Sequence, residues 1–77
     1  MSNGTDVVIH INEELDSRHR QKLSNHVCDL DGVISADVKD KRPHLMIVAY
    51  NPVMTKSMSV LTGIRNSGMH AQLVGWL

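Results

Sequence analysis

Two side chains three positions apart carry the first chemical signal of this chain. Asp16 and His19 flank Ser17-Arg18 in the run Glu14-Leu15-Asp16-Ser17-Arg18-His19, between an expected strand (Val7 to Ile11) and an expected helix (Ser17 to Leu30). Residues three apart around a helix start can face a common point. Imidazole and carboxylate are donors for divalent zinc, nickel, cobalt or copper, whereas monovalent copper prefers sulfur. The partial positive charge at a helix N-terminus keeps more of His19 as a neutral donor, while the Asp16 charge acts the other way. Two donors alone make a weak site; Asp16 or Ser17 is a good N-cap, and that role explains Asp16 fully. His19 then reads as a solvated first-turn residue.

The elements that would position this pair follow from periodicity. Val7, Ile9 and Ile11 alternate with Val8, His10 and Asn12, the period of a strand. The helix carries Leu23, Val27 and Leu30 on one apolar stripe and stops at Asp31-Gly32. Val33 to Val38 reads as a second strand with Ala36 and Val38 on one face. Lys39 to Pro43 is a charged turn. His44 to Tyr50 is a third strand, with Met46, Val48 and Tyr50 sharing a face, and Asn51-Pro52 ends it. Thr55 is the expected N-cap of a second helix with Val60, Leu61 and Ile64 inward and Gly68 as its C′ residue. Met69 to Trp76 closes the chain as a fourth strand, with Ala71 and Leu73 inward. The order β-α-β-β-α-β favours an α+β sandwich, two helices on a four-stranded antiparallel sheet.

The spacing resembles that of heavy-metal-associated domains, the modules of copper chaperones and metal-pumping ATPases. Leu23, Val27, Leu30 and Gly32-Val33 fall where that family places its helix and following strand. Tyr50-Asn51-Pro52 resembles its Tyr-Asp-Pro, and Ser67-Gly68-Met69 its turn after the second helix. The resemblance spans Val7 to about Val74 and implies a ferredoxin-like βαββαβ fold with both helices on one face. In that family the first loop usually carries Met-Thr-Cys-x-x-Cys. Here Asp16 and His19 stand where the two cysteines would be, so two-thiolate capture of a soft metal does not carry over.

In this topology the end of the first strand meets the starts of the third and fourth, because neighbouring strands run antiparallel. Asp16, His19, His44, Met69 and His70 thus gather toward one end, with His10 just below. The expected ligand set for a divalent ion is His19 with Asp16, assisted by His70 or His44. Against that, His10 and His70 also read as idle histidines on the outer sheet face. His26 reads as a partly buried helix residue, Cys28 as a bystander thiol and Met69 as core packing.

A second feature does not involve metal. If Met46, Val48 and Tyr50 point inward, then Leu45, Ile47 and Ala49 face outward with Val8, Val74 and Trp76. Such a patch on an open sheet marks a partner or homodimer surface, with Trp76 as its anchor, unless it is only a scatter of ordinary exposed apolar side chains.

Composition sets the bounds. Seventy-seven residues make one domain (1–77, ordered core about 6–76). Eight basic residues against eight acidic ones argue against a nucleic-acid or membrane-surface role driven by bulk charge. One tyrosine and one tryptophan are too few for a base-stacking platform. The single cysteine fits a reducing compartment. Met1 to Asp6 lacks the basic and apolar regions of a signal peptide, and no apolar run reaches the roughly 20 residues of a membrane span. A cytoplasmic protein is expected. No nucleophile elbow, glycine-rich phosphate loop or His-Glu-x-x-His is present, so no enzyme activity is expected. The leading expectation is a module that binds a transition metal weakly and hands it to, or senses it for, a partner. The alternative is a metal-independent interaction or homodimerisation module.

Overall fold

The computed structural model describes residues 4–39 and 41–76. Six elements follow one another: β1 (Thr5–Ile11), α1 (Ser17–Cys28), β2 (Val33–Val38), β3 (Leu45–Tyr50), α2 (Ser57–Arg65) and β4 (Ala71–Trp76). The sheet order is β2-β3-β1-β4 and every neighbouring pair is antiparallel. This is the ferredoxin-like arrangement that the element order implied.

Alternation in the strands sends one row of side chains under the helices. Val7, Ile9 and Ile11 of β1 are fully buried, as are Met46 and Val48 of β3. They close on Leu23 and Val27 of α1 and on Val60, Leu61 and Ile64 of α2. The opposite row, Val8, Leu45, Ile47 and Ala49, is half-buried because no element covers that face. Among the described residues no helix is long and apolar enough to cross a membrane.

Several boundaries differ from the sequence reading, β1 among them, which starts at Thr5 and not at Val7. Helix α1 ends at Cys28 rather than Leu30, with Asp29 as C-cap and its N–H donating to the Asn25 and His26 carbonyls. Leu30 N–H then reaches back only three residues, to Val27 O at 3.0 Å, which turns the chain toward α2. There Leu30 meets Gly63: a Cβ at that glycine would lie 2.6 Å from Leu30 Cδ1, so the bare helix surface seats the leucine. The cap of α2 is Lys56, not Thr55, and Lys56 makes no side-chain capping bond. Thr55 is held instead by its N–H on Asn51 O at 3.0 Å, and its methyl occupies the space above Gly32. His44 and Met69-His70 precede β3 and β4 rather than starting them. The charged turn at 39–43 includes position 40, which lies outside the described residues; within it Lys39 Nζ pairs with Asp37 at 2.7 Å.

Two glycines adopt left-handed backbone angles, Gly32 at φ +83° and Gly68 at φ +96°. Their surroundings differ. A Cβ at Gly32 would come within 2.8 Å of Thr55 Cγ2 and 3.1 Å of Met54 Cβ, whereas one at Gly68 would meet open space. Gly68→Ala should therefore carry only the backbone penalty, about 1–2 kcal/mol, and Gly32→Ala about 1–3 kcal/mol more for the forced overlap. Urea unfolding of both variants checks this. Equal losses would contradict the packing of Thr55 over Gly32.

Candidate metal centre

The loop between β1 and α1 is organised by one carboxylate. Asp16 has extended backbone angles (φ −73°, ψ 173°) and caps α1, its Oδ1 accepting from the His19 N–H at 2.9 Å. The same oxygen lies 2.7 Å from His19 Nδ1. Both side chains are about two-thirds exposed. The two bonds from His19, the backbone one first, hold the Asp16 carboxyl below its ordinary pKa. A carboxylate accepting from Nδ1–H fixes the imidazole tautomer and leaves Nε2 as the nitrogen with a free lone pair. Asp16 therefore orients the His19 ring.

His70 is placed by a partner that the sequence reading did not single out. Glu13 Oε1 accepts from the His70 backbone N–H at 2.9 Å, and its Oε2 lies 2.6 Å from His70 Nδ1. These bonds, the side-chain one foremost, lower the Glu13 pKa. The signal for it was topological: Asn12 N–H bonds His70 O at 2.8 Å, so the pairing of β1 with β4 brings Glu13 to His70. His44 is held by the backbone, its Nδ1 lying 2.8 Å from Ile11 O, and its ring stacks on that of His10.

Of the expected ligands, Asp16 and His19 thus hold each other, while His70 is held by Glu13 and His44 by the Ile11 carbonyl. Among the described residues, no three His, Cys, Asp or Glu side chains gather closely enough to hold a metal ion. Met69 packs against the core and lines a shallow depression with Leu15, His19, Leu23 and His26. His26 is exposed rather than partly buried, its Nε2 3.3 Å from Gly63 O.

The outer-face residues separate as well. Val8 stands directly opposite Ile47 on one side and Gly75 on the other. The register of β1 with β4 shifts between Val8 and Ile9, which leaves Val74 as the unpaired residue of a bulge. Trp76 is consequently opposite Val7, in the row of the helix-covered face, and not in the row of Val8 as alternation without a bulge implied. Val74 and Trp76 remain 60% and 58% exposed on this edge strand.

Solved structures of low sequence identity share this architecture. A copper-binding domain from the P-type ATPase HMA7 matches with a TM-score of 0.84 and 14% identity, covering 94% of this chain and 96% of that one. The N-terminal domain of a potential copper-translocating P-type ATPase from Bacillus subtilis, in its Cu(I)-loaded state, gives 0.83 and 16%, over 96% and 91%. The copper chaperone of Enterococcus hirae gives 0.75 and 14%, over 88% and 98%. The chain shares the ferredoxin-like fold of these copper-binding domains. No family model matches its sequence, and no curated protein does.

With a single cysteine in the sequence, the residues of this loop do not fit a two-thiolate site. Cys28 lies at the far end of α1, nine residues beyond His19, or about 13 Å along the helix axis.

The lowered carboxyl pKa gives the Asp16 bonds a sign. Their stabilisation is complete above the ordinary aspartate pKa and is lost as pH falls through the lowered folded-state value. Asp16→Ala should lower the urea midpoint at pH about 7, and the gap from the parent should narrow progressively as pH falls below the ordinary aspartate pKa. Asp16→Asn, which keeps the capping oxygen, should lose less. A gap independent of pH would refute the charged cap.

Proposed function

We propose that this chain is a small, non-catalytic, cytoplasmic module that holds a divalent transition-metal ion weakly and passes it to or from a partner protein. The observation that supports this reading is the 2.7 Å contact between Asp16 Oδ1 and His19 Nδ1, which presents Nε2 at the loop position where the resembling family carries sulfur. His70, similarly oriented by Glu13, is the second donor proposed. Water and the partner's side chains complete the coordination. A site of one or two nitrogens binds loosely, which suits exchange more than storage. No nucleic acid and no membrane insertion enter this account.

A second reading rests on the outer sheet face. Val8 and Ile47 face each other across β1 and β3, and Leu45 and Ala49 extend the row half-exposed, so the same module can meet a protein partner or a second copy without metal.

Titration of isotope-labelled protein with Zn²⁺, Ni²⁺, Cu²⁺ and Cu⁺ tests both. Divalent ions should shift the amides of residues 12–20 and 68–71, and His19→Ala should remove the shifts at 12–20. Cu⁺ should be lost to a mild competitor. Diffuse changes at high metal excess, together with a concentration-dependent dimer that Ile47→Lys abolishes, would replace the first reading by the second.

A further inference from the structure

A pair of imidazoles outside the first loop has an arrangement that this reading does not use. His10 on β1 and His44 before β3 lie with ring centres 5.7 Å apart and planes 15° from parallel. Both residues are half-buried. His44 Nδ1 is tied to the Ile11 carbonyl at 2.8 Å, and the Ile11 N–H returns a bond to His44 O at 2.7 Å, so the ring is anchored at its base by the strand pairing itself. With Nδ1–H spent on a carbonyl, Nε2 is the lone-pair nitrogen of His44. Neither ring nitrogen of His10 has a hydrogen-bond partner among the described residues.

We infer that His10 and His44 form a two-imidazole site for a divalent transition-metal ion, separate from the first loop. The separation is the argument. With metal–nitrogen bonds near 2.0–2.1 Å and a ring nitrogen about 1.1 Å from its ring centre, two imidazoles on one ion have centres roughly 4.5–6.5 Å apart, depending on the angle at the metal. The observed 5.7 Å lies inside that range. Planes this close to parallel do not aim both lone pairs at one point, so His10 must turn about χ2, a broad and soft torsion for histidine. The backbone does not move, because Leu45 stays opposite His10 in the sheet. The carbonyl behind His44 is the kind of second partner that orients metal-bound histidines and raises their basicity. Imidazole nitrogens select zinc, nickel or divalent copper over calcium or magnesium. Water fills the remaining positions. This site does not depend on the loop reading.

The experiment follows histidine ring and amide resonances of the full chain during addition of Ni²⁺ or Zn²⁺ alone, with His10→Ala, His44→Asn and His19→Ala as variants. His44→Asn keeps a side-chain N–H for the Ile11 carbonyl while deleting the metal-facing nitrogen. The expected result is a transition at residues 9–11 and 43–46 that His10→Ala and His44→Asn each weaken about tenfold or more. The double variant should lose no more than either single one, because one nitrogen cannot chelate. His19→Ala should leave this transition within twofold. Unchanged affinity in folded His10→Ala, or metal shifts confined to residues 12–20 and 68–71, would overturn the assignment without touching the loop reading. Absence of loop shifts in the unsubstituted protein, with the His10 and His44 shifts present, would sink the loop reading and support this one.

Discussion

A single carboxylate oxygen at the start of α1 decides how the first loop is built. Asp16 Oδ1 accepts from the His19 amide, which would otherwise be one of the unpaired donors of the first turn, and from the ring of the same residue. The helix start and the imidazole orientation are therefore one structure. His19 cannot turn its Nδ1 outward without giving up a charge-assisted bond, and Asp16 cannot swing to another partner without uncapping α1. Arg20 adds a further tie by donating to Leu15 O at 2.9 Å. A loop held in this way leaves Nε2 of His19 out of the Asp16 bond.

The consequence, under the proposed function, is nitrogen and oxygen donors on a fold shared with copper-binding domains. The buried rows of β1 and β3 and the inward faces of both helices form a core that needs no metal to close. Two thiolates at the loop would make a soft, strongly binding vertex; an oriented imidazole and its carboxylate would make a harder and weaker one. The same logic recurs at the neighbouring loop ends. His70 leans on Glu13 and His44 on the Ile11 carbonyl, so each of these rings has Nδ1 committed to an oxygen of the protein. Histidines that look alike in sequence are thereby set in distinct places and do not pool into one cluster.

What the sequence disclosed followed from period and punctuation. Val7, Ile9 and Ile11 announced a half-buried strand, Asp16 announced a helix start, and Gly32 and Gly68 marked the turns that need positive φ. The inward residues of α2 were legible for the same reason. What stayed hidden depended on register. The bulge at Val74 moves Trp76 from the outer row to the row of Val7, and no local pattern in Ala71–Trp76 signals that extra residue. Glu13 gains its role only because β1 and β4 pair beside it. Thr55 was a reasonable cap by residue type, but its methyl is taken by the space over Gly32, so the helix starts later with a poorer cap. Tertiary contacts outweigh local preference in each case.

The central claim is the tautomer of His19, and nitrogen–proton correlation spectra of the histidine rings read it directly. At a pH of about 8.5, where an ordinary imidazole is neutral, His19 should carry its proton on Nδ1 and show an unprotonated Nε2. In Asp16→Ala that preference should vanish. A His19 ring protonated at Nε2 in the parent protein, with Nδ1 bare, would contradict the account.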